Sequence, residues 1–151
     1  MGSETPARVL VVAHKTAATP ALLDAVRERA ARGPATFTLL VPTPAHGLTR
    51  VTDPEDIEDS EARDTLALAI PLLEQAAGGR VRGMVGVPSP LEAIQDAINL
   101  HGFDEIILST LPRTVSRWLR IDLPHKLNGL GLPVTTVTAG ERAEDAAGAR
   151  S

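Results

Sequence analysis

Arg8-Val-Leu-Val-Val-Ala13 is a run of β-branched and aliphatic residues too short for a helix, and its apolar residues do not alternate with polar ones. A strand with one face in water alternates, whereas a strand covered on both faces reads as a continuous apolar run. The stretch therefore predicts a central strand of a parallel sheet. Beyond it, helical and strand patterns alternate along the chain. Leu22, Leu23, Val26 and Ala30 recur at helical spacing, with Thr19 as cap, Pro20 at the first helical position and Gly33-Pro34 as the stop. Phe37-Thr-Leu-Leu-Val41 is the second strand, Glu61 to Ala77 an amphipathic helix closed by Gly78-Gly79, and Val81 to Val87 the third strand. Ser89-Pro90-Leu91-Glu92 has the composition of a capping box and opens a third helix that runs to His101. Glu105-Ile-Ile-Leu108 and Pro133 to Thr138 are the fourth and fifth strands.

Strands alternating with helices specify a single doubly wound α/β domain, a five-stranded parallel sheet with helices on both faces. Residues 1–7 read as an N-terminal arm, 8–138 as the domain, and 139–151, rich in Ala and Gly without an apolar period, as a disordered tail. The 151 residues are 43% apolar, enough for one sizeable core. Aromatic residues are nearly absent, so Val, Leu, Ile and Ala must build that core. The chain has no cysteine, which excludes disulfides, thiolate metal sites and a catalytic thiol. A net charge of −4 gives no reason to expect nucleic acid or an anionic membrane as partner. No apolar run reaches membrane-spanning length and the first residues lack the order of a signal peptide, so the expected location is the cytoplasm.

Open parallel sheets bind ligands beyond the carboxyl ends of their strands, near the point where strand order reverses. The loop after the fourth strand is the richest there. Residues 109–126 carry Ser109 and Thr110 at the strand end, Thr114 and Ser116 as candidate caps, and Arg113, Arg117 and Arg120 spaced for one helical face. Cations at a helix N-terminus oppose the macrodipole by a few tenths of a kcal/mol up to ~1, so something must compensate. Two readings stand. A phosphate or similar anion binds among the amides, hydroxyls and guanidinium groups, or the acidic run from Asp53 to Glu61 pairs with the arginines, which are otherwise solvated. That run itself reads as a solvated loop leading into the second helix. Pro124 breaks any helix before it and predicts a short turn near residues 115–120, then a restart capped by Asp122. Trp118 reads as core or as a cover for the loop. His14, Lys15 and Thr16 follow the first strand, where a ligand would meet them.

Dinucleotide and P-loop fingerprints are absent, the carboxylates of a phosphorylated receiver domain are missing from the strand ends, and the four histidines are scattered.

The order of elements, Val9-Leu-Val-Val-Ala13, Asp104-Glu-Ile-Ile-Leu-Ser109 and Leu132-Pro-Val-Thr-Thr-Val137 together resemble the universal stress protein family over about residues 8–138. Phe37-Thr-Leu-Leu-Val-Pro42 with Ser109-Thr-Leu-Pro112, Ser116-Arg-Trp-Leu119 and Asp122-Leu-Pro-His125 is similar to a divergent actinobacterial branch of it. The resemblance implies a Rossmann-like nucleotide-binding α hydrolase fold, commonly dimeric, with ATP bound by one of two classes. That class carries Gly-x-x-Gly, nine residues, then Gly-Ser/Thr after the fourth strand. This sequence does not keep that motif: Leu111, Thr114 and Ile121 stand near the glycine positions, and Asp122 near the hydroxyl. Side chains there block close backbone approach, and a carboxylate repels a triphosphate.

The resulting expectation is a non-catalytic regulatory module taking ATP, AMP or another anion. Ser109, Thr110 and Ser116 would donate hydrogen bonds and Arg113 and Arg117 neutralise phosphate, while Ala13, His14, Lys15 and Thr16 with Val41 and Pro42 line the base and ribose. The last strand, Val134-Thr-Thr-Val-Thr138, is expected to pair with its copy in a homodimer. The rival from another class is an interaction module that binds a protein partner and no small molecule. An enzyme is the weakest reading, because no general base or metal cluster is visible.

Overall fold

A computed structural model describes residues 5–14, 16–43, 54–111, 118 and 122–139, with the backbone alone for 54–60. The strands are β1 (Ala7–Val12), β2 (Ala35–Pro42), β3 (Val81–Gly86), β4 (Glu105–Thr110) and β5 (Val134–Thr138). All four pairings are parallel, in the order β3-β2-β1-β4-β5. The helices are α1 (Pro20–Arg32), α2 (Pro54–Ala77), α3 (Pro90–His101) and the short α4 (Leu123–Asn128). The expected five-stranded, doubly wound α/β fold is therefore present.

Its core lies in two layers separated by the sheet. Val9, Val11 and Ala13 from β1 and its end, Phe37, Leu39 and Val41 from β2, and Ile107 from β4 meet Leu22 and Val26 of α1 and Leu73 of α2. On the other face Leu10, Val12, Leu40, Ile106 and Leu108 meet Ala93, Ile94 and Ala97 of α3 and Leu123 and Leu127 of α4. Successive β1 side chains thus enter different layers, and Val9 to Val12 are all buried. That is why the run shows no alternation. Each such Val or Leu contributes about 1.5–3 kcal/mol by leaving water.

Several elements depart from the sequence expectation. Helix α2 starts at Pro54, so much of the acidic run expected as a loop is helical backbone. Proline suits a first helical position and acidic residues suit a first turn, and neither signal depends on an apolar period. Strand β4 continues through Ser109 and Thr110, and β2 reaches Pro42. Ala139, expected to open the disordered tail, is instead buried, and its N–H donates to the Thr110 carbonyl at 2.7 Å. Residues 140–151 lie outside the described residues. Pro71 falls inside α2, on its exposed side, where the carbonyl it leaves unbonded can meet water. Gly86 lets α3 approach the sheet, since a Cβ there would lie 2.6 Å from the Ala93 Cβ.

At the amino end of the sheet, Arg8 clamps β1 to β4. Its N–H donates to Asp104 Oδ2 at 2.8 Å, the Asp104 N–H returns a bond to the Arg8 carbonyl at 2.8 Å, and Arg8 Nη1 donates to the His101 carbonyl at 3.2 Å. The Arg8 backbone bond, reinforced by the guanidinium, holds the Asp104 carboxyl below the usual carboxylate range. A depressed folded pKa stabilises above the unfolded value of about 3.9 and is lost as pH falls through the folded one. Asp104→Asn should accordingly lower the urea midpoint at pH 7, and the gap to the parent chain should close below about pH 3.9. A gap independent of pH would contradict the assignment.

Candidate functional site

The chain runs outward from β1 through β2 to β3, then returns to place β4 on the other side of β1. Strand order therefore reverses between β1 and β4, and a crevice at their carboxyl ends is the default ligand position in such sheets. The register aligns Val12 with Leu108, which carries Ala13 toward Ser109.

One buried bond crosses this junction. Thr16 Oγ1 and Ser109 Oγ lie 2.6 Å apart, either able to donate, with Thr16 2% and Ser109 1% exposed. Thr16 is held by the turn that leads into α1, in which its carbonyl accepts from Thr19 N–H at 3.2 Å and from Thr19 Oγ1 at 2.9 Å. Thr19 occupies the cap position as expected, but its hydroxyl is committed to Thr16 and caps no helix N–H. At α3 the cap is formed: Ser89 Oγ accepts from Glu92 N–H, at a long 3.5 Å.

Thr110 is also buried, and its Oγ1 has no hydrogen-bond partner among the described residues. Leaving a buried hydroxyl unmatched costs about 1–3 kcal/mol. His14 is half-buried just past β1. One strand further out, Val41 and Pro42 end β2, and Thr43 N–H donates to the Gly86 carbonyl at 2.9 Å.

The structure thus brings together Ala13, His14, Thr16, Ser109 and Thr110, with Val41 and Pro42 on the adjoining strand. It also narrows what they offer. Ala13 and Val41 have side chains sealed in the α1–α2 layer, so ligand contact there is left to the backbone. Ser109, expected as a donor to a ligand, is already engaged by Thr16. Lys15, Arg113, Ser116 and Arg117 lie outside the described residues, as do residues 112, 114, 115 and 119–121 of the loop. Trp118 is helical and half-buried and packs against the α3–α4 layer, in keeping with the core reading. Among the described residues no His, Asp and Glu cluster has the makings of a metal site.

Asp122 takes the cap position of α4 but makes no side-chain cap bond, and its φ of 60° and ψ of 42° place it in the left-handed region. No other non-glycine residue among those described has a positive φ. Aspartate tolerates this conformation better than most side chains, whereas a β-branched residue does not. Because Asp122 is exposed, packing does not confuse the comparison.

No protein-family profile and no curated protein matches the chain. Solved structures do. A universal stress protein from Archaeoglobus fulgidus superposes with a TM-score of 0.61 at 20% identity, over 87% of this chain and 93% of that one. The universal stress protein from Archaeoglobus fulgidus in complex with dAMP gives 0.56 at 19% identity, over 88% and 98%. A universal stress protein in complex with cAMP gives 0.58 at 14% identity, over 89% and 98%. The chain has the universal stress protein fold.

Asp122→Val should cost about 1–2 kcal/mol in urea unfolding while Asp122→Gly stays within about 0.5 kcal/mol of the parent chain. Equal losses for both would refute the left-handed assignment.

Proposed function

We propose that the chain belongs to the universal stress protein family and is a non-catalytic regulatory module that takes a phosphate-bearing adenine nucleotide at the carboxyl ends of β1 and β4. The observation that carries this reading is the buried Thr16–Ser109 hydroxyl pair where strand order reverses, with the buried Thr110 next along β4. The two nucleotide complexes of the same fold, with dAMP and with cAMP, support it. In this reading the ends of β1 and β2, with Lys15, border the base and ribose, and Arg113, Ser116 and Arg117 meet the phosphate. Leu111, a half-buried side chain, and the carboxylate of Asp122 disfavour a triphosphate, so a monophosphate fits better than ATP. Occupancy then sets which surface the molecule presents to partners.

The molecule acts as a homodimer in the same proposal. β5 is hydrogen-bonded to β4 on one side only and carries no charged residue, which leaves a pairing edge. A second reading, an interaction module without a small ligand, is favoured by Leu68 and Leu72, which lie 74% and 40% exposed on one side of α2.

Titration calorimetry with AMP, ADP, ATP and inorganic phosphate separates the two. The nucleotide reading expects heat that is strongest for AMP and lost in the Arg113→Ala, Arg117→Ala double variant. Silence for all four ligands leaves the interaction module standing. Light scattering on the same samples should give twice the chain mass and shift toward monomer in Val137→Pro; an unchanged mass removes β5 as the interface.

A further inference from the structure

Helix α2 is apolar on two sides. Ala62, Ala69, Leu73 and Ala76 are buried in the layer shared with α1. Leu68 and Leu72, one turn apart, and Pro71 beside them are exposed, Leu68 at 74%. A single exposed leucine is ordinary on a protein surface, whereas apolar residues gathered on one turn of one helix form a patch. Pro71 gives the patch a polar centre. Having no N–H, it leaves the carbonyl of the exposed Ala67, four residues back, without its helical donor. The surrounding charge has the matching sign. From Glu55 to Asp64 the helix carries six carboxylates and one arginine, Arg63. Acidic residues suit the first turn of a helix, but the macrodipole acts only over that turn, and Asp64 stands in the third. Asp64 is exposed and precedes Leu68 by one turn on the same side, with the uncharged Gln75 at the other end of the stripe. Arg63 lies about 100° around the helix from Asp64. Glu74 is committed to the Val81 N–H at 3.1 Å.

We propose that this side of α2 docks a cationic amphipathic helix of a partner protein. The apolar stripe of that helix covers Leu68, Pro71 and Leu72, a Lys or Arg flanking the stripe donates to the Ala67 carbonyl, and further cations meet Asp64 and the acidic turns before it. A second copy of the chain brings the same excess of carboxylates, and an anionic lipid surface is repelled by it, so a basic segment is the occupant that the charge selects. The surface lies outside the crevice at the ends of β1 and β4 and does not rest on the nucleotide reading; it gives the interaction of the second reading a partner chemistry.

The test titrates the full chain into two labelled amphipathic helical peptides with the same leucine pattern, one of Leu and Lys and one of Leu and Glu, and reads fluorescence anisotropy. The Leu and Lys peptide should bind, more weakly as salt is raised, and the Leu and Glu peptide should not. The Leu68→Ser, Leu72→Ser double variant keeps every charge and changes only exposed positions, so its thermal midpoint should match the parent chain while the Leu and Lys peptide weakens at least about tenfold. Asp64→Lys should weaken the same peptide at least about threefold. Undiminished binding by the double variant overturns the proposal, because the peptide is then held by general attraction to an acidic chain. Equal binding of the two peptides, or binding of neither, overturns it as well. A mass in light scattering that falls in the double variant also does so, since a second copy then covers the stripe. None of these outcomes bears on the AMP calorimetry, which decides the nucleotide reading separately.

Discussion

The parallel pairing of β1 with β4 is the constraint on which the rest depends. β1 is sealed by helices on both faces and by strands on both edges, so its residues have no freedom to slip: a one-residue shift would exchange the contents of the two layers. Once β1 is fixed, β4 can join the sheet only on its free edge. The reversal of strand order then falls between them. At one end this junction is locked by Arg8 and Asp104, an exposed pair whose backbone bonds matter more than its charge. At the other end, among the described residues, the buried Thr16–Ser109 hydroxyl pair ties it.

The two ends of the sheet also differ in composition. At the amino end Arg29 Nε donates to Glu105 Oε1 at 3.0 Å in addition to the Arg8 clamp. The carboxyl end is made of small hydroxylated residues, one of which is left without a bond among the described residues. A valine would pack there without leaving a buried hydroxyl unmatched. Asp122 adopts a conformation glycine takes freely and gains no cap bond in return.

The strands were legible because burial on both faces writes itself as continuous apolar runs, as in Arg8 to Ala13 and Phe37 to Val41. The helices with apolar period were legible for the complementary reason. What periodicity cannot mark was lost: the acidic first turns of α2, and the last residues of β4, where Ser109 and Thr110 read as loop because they are polar. The Thr16–Ser109 bond joins residues 93 apart in the chain and exists only through the β1–β4 register. The signal was faint, two hydroxyls lying just beyond or at the ends of strands that the topology makes neighbours. The side of the sheet to which each hydroxyl turns follows from pleat alternation once the extent of β4 is known, and the sequence placed that end two residues early.

Ligand chemistry at the carboxyl ends of β1 and β4 is the central claim, and amide chemical shifts followed during an AMP titration of the labelled chain read it most directly. Shifts should concentrate at Ala13, His14, Thr16, Ser109, Thr110 and Leu111, with Thr138 and Ala139 moving beside them, while Arg8, His101 and Asp104 stay still. Shifts centred on the Arg8–Asp104 end, or on the exposed side of α2 around Leu68, would contradict it.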